Sequence, residues 1–102
     1  MSVAYVIAFR VRDGQRGRFL DLLNGVLDAM RAEATFVSAT LHEDPADPRH
    51  FLLHEVWQDH QDVLEVQLAR PYRAAWHAAL PNLLESPREI GMWTPVRTDR
   101  RA

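Results

Sequence analysis

Val3, Tyr5, Ile7, Phe9 and Val11 fall on one side of an extended chain, and Ala4, Val6 and Ala8 on the other. This period of two predicts a strand over Val3–Arg12 that is apolar on both faces. Asp13-Gly14 marks a turn, and from Gln15 the period changes. Phe19, Leu22, Leu23, Val26, Leu27 and Met30 recur at helical spacing, while Arg16, Arg18, Asp21, Asp28 and Arg31 lie mostly off that stripe, so residues 15–33 read as an amphipathic helix. Gly25 inside it costs about 1 kcal/mol relative to Ala, and close packing on a sheet is the expected reason for it. Alternation returns over Phe36–Glu43, with Val37, Ala39 and Leu41 opposite Phe36, Ser38, Thr40 and His42. Asp44-Pro45-Ala46-Asp47-Pro48-Arg49 is a turn that closes a hairpin with the next strand. That strand, Phe51–Trp57, carries Phe51, Leu53, Glu55 and Trp57 on one face and Leu52, His54 and Val56 on the other. Two helical segments follow, Asp59–Ala69 and Tyr72–Leu84, parted at Arg70-Pro71 because a proline favours an extended residue before it. Pro81 is expected to kink the second. Arg88–Val96 reads as a last strand in a single domain of residues 1–97, and Thr98–Ala102 as a basic, disordered tail.

The order strand, helix, strand, strand, helix, strand matches an α+β, ferredoxin-like split βαβ plan: a four-stranded antiparallel sheet with its helices on one face. The other face would then present Ala4, Val6, Ala8, Leu52, Val56, Ile90 and Met92, more apolar surface than a monomer usually exposes. A second copy of the same sheet is the simplest cover, so the expected partner is the chain itself, in a twofold homodimer with sheets face to face.

Composition removes several function classes. The 102 residues contain no cysteine, which excludes disulfides, thiolate catalysis and zinc–thiolate sites. Twelve basic and fourteen acidic residues give a formal charge of -2 with no long run of either sign, so neither nucleic acid nor a membrane is expected as a partner. The apolar start lacks a basic leader and is interrupted by Arg10 and Arg12; a cytoplasmic protein is expected. Gly14, Gly17, Gly25 and Gly91 form no phosphate or dinucleotide loop, and Ser2, Ser38 and Ser86 sit on no nucleophile elbow. No cofactor is expected. Nor is a metal: His42, His50, His54, His60 and His77 are scattered, and His50 and His54 on one strand stand roughly 13 Å apart. His42 and His54 are expected on the dimer face, and His77 at the surface.

Glu55 is the one carboxylate among the inward side chains of its strand. Burial there raises a carboxyl pKa and makes a base for deprotonating a phenol, or the group pairs with Arg73 or Arg88, or caps a helix. Trp57 reads equally as core and as a ring contact in a cavity.

Arg31-Ala-Glu33, Leu41-His-Glu-Asp-Pro-Ala-Asp-Pro48, Phe51-Leu-Leu-His-Glu-Val-Trp57 and Leu64 to Trp76 followed by Ala78-Ala-Leu80 resemble the antibiotic biosynthesis monooxygenase domain family over residues 3–96. The resemblance implies a dimeric α+β barrel with one cavity per subunit. It also implies activities that range from cofactor-independent oxygenation of phenols or quinols to haem degradation and sugar-phosphate isomerisation, besides stress-associated proteins. Trp57 matches a cavity-lining tryptophan of the oxygenases. Leu53 and Ile7 stand where some members carry asparagine. In the helical motif, Val66-Gln-Leu-Ala-Arg-Pro-Tyr-Arg73 replaces both histidines, by Gln67 and Tyr72, and with them the expected haem ligand. The implied reading is a cofactor-free monooxygenase for a small aromatic ligand, with Glu55 and Tyr72 catalytic and Leu53, Trp57, Gln67 and Trp76 binding substrate. The alternative is a non-catalytic small-molecule binder or stress-response protein of the same fold.

Overall fold

The structure, a computed structural model, describes residues 1–101. Four strands, β1 (Val3–Arg10), β2 (Phe36–Asp44), β3 (Asp47–Trp57) and β4 (Glu89–Trp93), form one antiparallel sheet in the order β2-β3-β1-β4. Helices α1 (Arg16–Met30), α2 (His60–Glu65) and α3 (Ala74–Leu83) cover one face. This is the ferredoxin-like arrangement that the element order implies.

The local chemistry explains each boundary. Phe19, Leu23, Val26 and Met30 are the buried stripe of α1. The hairpin is tighter than the two prolines suggest: Asp44 pairs with Asp47, so only Pro45 and Ala46 lie between the strands, and the Asp44 carboxylate accepts from the Ala46 N–H at 2.8 Å. The expected helix over Asp59–Ala69 is shorter. Asp59 caps α2 by accepting from the Gln61 N–H, but the chain tightens into 3-10 turns at Gln67–Ala69 and Pro71–Arg73 before α3 begins. Arg70 between them is extended, as the following proline demands. Gly25 faces open space, with nothing within 4 Å of a built Cβ, so close packing is not its reason. Thr98–Arg101 are exposed coil, and the last residue of the expected tail, Ala102, lies outside the described residues.

Between helices and sheet, Phe9, Phe19 and Trp76 pack edge-on or tilted with centroids 5.2–5.8 Å apart, and Phe19 also meets Phe51 at 5.0 Å. Aromatic burial of this kind dominates the energetics of a small core.

Two strand faces differ from the alternation read in the sequence. Ile90 pairs with Ile7 and Met92 with Tyr5, so Ile90 and Met92 point to the helix side. Glu89, Gly91 and Trp93 take the open side instead, and the Trp93 indole lies over Gly91. A bulge between Phe36 and Ser38 turns Phe36 inward, where it packs edge-on against Trp57 at 5.3 Å. The open face thus carries Ala4, Val6, Ala8, Leu52, Val56 and Trp93 among Ser38, Thr40, His42 and His54. No helix among the described residues is long and apolar enough to cross a membrane.

Candidate active site

A cavity of about 260 Å³ opens between the helix side of the sheet and the helices. β1 supplies Tyr5 and Ile7, β3 supplies Leu53 and Glu55, and α1 closes the far wall with Val26 and Met30. Arg73, Trp76 and His77 come down from the 3-10 turn and α3, and Arg88, Ile90 and Met92 border the side toward β4. Ile90 and Met92 are 54% and 58% exposed, so this β4 side is the open one.

Glu55 is 6% exposed. Burial pushes its carboxyl pKa up, against a hydrogen bond from Trp57 and the charges of Arg73 and Arg88, which pull it down. The Trp57 Nε1–H donates to Glu55 Oε1 at 3.2 Å. Neither arginine makes an ion pair with Glu55 among the described residues; both act on it through the low-dielectric interior.

Tyr5 is the direct cross-strand partner of Glu55. Its hydroxyl lies 2.6 Å from His60 Nδ1, and both residues border the cavity. Burial, with the nearby carboxylates of Glu55 and Asp59, raises the Tyr5 pKa. His77, expected at the surface, is half-buried in the cavity wall, and desolvation with Arg88 and Arg73 nearby pushes its pKa down, toward the neutral imidazole.

Of the six residues singled out in the sequence, Leu53, Glu55 and Trp76 border the cavity. The other three do not. Trp57 is 0% exposed and lies behind Glu55, between Phe36 and the Arg73 guanidinium, which stands 5.8 Å from its ring. The Tyr72 hydroxyl turns away to donate to Glu33 Oε1 at 3.4 Å; burial raises its pKa. Gln67 is buried and donates from Nε2 to Asp62 Oδ2 at 3.1 Å, where Thr35 also donates at 2.7 Å. Gln67 opens the 3-10 turn that follows α2, and its side chain is directed to Asp62 and not to the cavity. Ile7 and Leu53 are paired across the strands inside the cavity, so no amide stands on this wall.

Tyr5 and His60 escaped the sequence reading. Tyr5 looks like one more apolar residue in an alternating strand, and its hydroxyl gains meaning only from a histidine 55 positions away. Among the described residues no group of His, Asp and Glu is placed to hold a metal ion.

Residues 2–79 match the family model described as antibiotic biosynthesis monooxygenase. The chain belongs to this family. A Pestalotiopsis microspora protein named for a monooxygenase activity is 28% identical over 94 residues, covering 91% of this chain and 78% of that protein. Among solved antibiotic biosynthesis monooxygenase folds, SnoaB, a cofactor-independent oxygenase from Streptomyces nogalater, superposes with a TM-score of 0.80 at 27% identity over 95% of each chain. Rv0793 from Mycobacterium tuberculosis has the same fold, with a TM-score of 0.87 at 22% identity over 98% of this chain and 100% of that one.

Proposed function

We propose that this member of the family is a cofactor-independent monooxygenase acting on a small phenol or quinol held in the cavity. The observation that carries the reading is Glu55: a carboxylate with a raised pKa, fixed by Trp57 in the wall of an apolar, aromatic-lined space. The likeness to SnoaB and to the Pestalotiopsis protein supports the reaction class.

A cavity of about 150 Å³ suffices for benzene, so 260 Å³ suits one or two fused rings. Trp76, Leu53 and Ile7 grip the ring. Glu55 takes the phenolic proton, and its raised pKa brings it nearer the working range of a base at neutral pH. The resulting phenolate is electron-rich enough to reduce dioxygen directly. The substrate supplies all the electrons: one oxygen atom enters the ring, the other leaves as water, and the phenol ends as the quinone, or the quinol as the hydroxyquinone. Tyr5, bonded to His60, passes the proton between the buried oxygen intermediate and the half-buried histidine. The dry walls protect the anion and strengthen each of these contacts.

The protein works as a homodimer through the open sheet face, where Val6, Val56, Leu52 and the exposed Trp93 need cover. A second reading, a binder without chemistry, draws on the missing amides at Ile7 and Leu53. Oxygen uptake with naphthohydroquinones separates the two: turnover supports the oxygenase, and measurable binding without turnover supports the binder.

A further inference from the structure

The cavity continues past its mouth. His77, Arg88 and Ile90 border it on the β4 side, and the same three residues border a second, outer groove of about 480 Å³. The two spaces meet at these side chains. Leu80, Pro81, Leu84 and Pro87 give the groove apolar walls, so a ligand seated in the cavity can extend through the mouth and remain against apolar surface.

Arg88 is the charge at that junction. It is half-buried and makes no ion pair among the described residues. Burial pulls its pKa down, while Glu55 pulls it up and Arg73 down, so its head lies in the field of the cavity and not out in bulk water. In contrast to Nε and Nη2 of Arg73, none of its side-chain nitrogens is both sealed from water and unpartnered, so the group can be reached from the mouth. A half-buried guanidinium has lost part of its hydration and gained no partner in exchange.

The groove is cationic beyond Arg88. Arg12 also borders it, fixed there by a bond from Nη2 to the Pro81 carbonyl at 3.2 Å, and makes no ion pair among the described residues. Glu85 is the one carboxylate of this lining among the described residues, and Arg49 already holds it at 2.6 Å. Two cations remain without a counter-charge. The groove also passes the C-terminal end of α3, whose carbonyls disfavour dense negative charge, so a single carboxylate suits it better than a phosphate dianion.

We infer that the natural ligand has two parts: a phenol or quinol ring in the cavity, and a side chain that passes His77 and Ile90 into the outer groove, where Arg88 receives its terminal carboxylate, with Arg12 as the second cation. This rests on the aromatic reading of the cavity and adds a second binding site outside the mouth, which sets the length and charge of the substrate. Arg88 is thereby a specificity-determining residue, apart from the proton transfers at Glu55 and Tyr5.

The test is calorimetric titration with three compounds: 2-naphthol, 4-(6-hydroxynaphthalen-2-yl)butanoic acid, and the carboxamide of that acid. The wild-type chain is expected to bind the acid at least about tenfold more tightly than the amide, and more tightly than 2-naphthol. Arg88→Gln is expected to bring the ratio of acid to amide close to one, and Arg12→Gln to lower it. Arg88→Lys, which keeps the charge but lacks the fork, is expected to leave a reduced preference and serves if the Gln variant does not fold. Binding of 2-naphthol with equal affinity for acid and amide, or with neither tailed compound bound, would overturn the inference and leave the aromatic cavity standing. An acid preference undiminished in both Arg88 variants would also overturn it. Failure of all three compounds to bind would overturn the cavity reading and this inference together.

Discussion

The indole N–H of Trp57 and the Glu55 carboxylate, two residues apart on the same face of β3, are joined by a hydrogen bond of 3.2 Å. Trp57 therefore influences the cavity from behind, through the acid it orients. The acid itself is held above its ordinary value of 4.5, chiefly by burial. From there up to its raised value, the folded chain keeps a proton that the unfolded chain has released, so this group makes stability fall as pH rises through that window. Glu55→Gln removes the titration. The variant is expected to melt above the wild type at pH 8 and close to it at pH 4, with oxygen uptake reduced by about 10²-fold or more. Thermal melts at the two pH values check this; a lower melting temperature at both would mean that Glu55 braces the core.

The Tyr5–His60 contact at 2.6 Å gives a second expectation. Tyr5→Phe keeps the ring in the core and removes the hydroxyl. A loss of about 1 kcal/mol in stability is expected from the hydrogen bond. If the pair carries the proton, kcat falls by about 10²-fold while KM stays within about threefold. Steady-state kinetics alongside urea unfolding separate the two effects; an unchanged kcat would remove Tyr5 from the mechanism.

Val6 sits at the middle of the open sheet face, between His54 on β3 and Gly91 on β4. Val6→Arg places a charge where a second sheet is proposed to pack. Light scattering is expected to give twice the chain mass for the wild type at micromolar concentration and the single-chain mass for the variant. A wild-type monomer would contradict the dimer.

Gly25 lies on the solvent side of α1, and an added Cβ meets nothing within 4 Å. Gly25→Ala is expected to raise stability by about 1 kcal/mol, the helix-propensity difference, without altering ligand binding. Chemical denaturation of the two chains measures it.

The antiparallel sheet and its helical cover were legible because the two kinds of run are distinct in this chain: Val3 to Phe9 is a short, unbroken apolar run of strand length, and Phe19 to Met30 repeats its buried positions at helical spacing. Glu55 was legible for the same reason, as a charge in a run of inward residues. The faces of Ile90 and Met92 were not, since a five-residue strand with apolar residues on both sides offers no alternation to choose from, and only pairing with Ile7 and Tyr5 fixes it. The placement of Gln67 was lost to a local event, the tightening of α2 after Glu65, which no residue type announces. Trp57 was expected as a wall of the cavity and lies behind it, because the bulge at Phe36 and the approach of Arg73 enclose its ring. Arg73 itself could be named as a partner for Glu55, but that its guanidinium lies against the Trp57 and Tyr72 rings, acting on Glu55 without an ion pair, depends on distances that only the fold sets.

The most direct measurement is turnover of a naphthohydroquinone under labelled dioxygen, with no cofactor added, followed by mass spectrometry of the product. One labelled oxygen atom is expected in the ring of the hydroxyquinone, with dioxygen and substrate consumed in equal amounts, no hydrogen peroxide released, and the rate lowered by about 10²-fold or more in Glu55→Gln. A product without label, or dioxygen recovered as peroxide at the rate seen in buffer alone, would contradict the oxygenase and leave a binding protein.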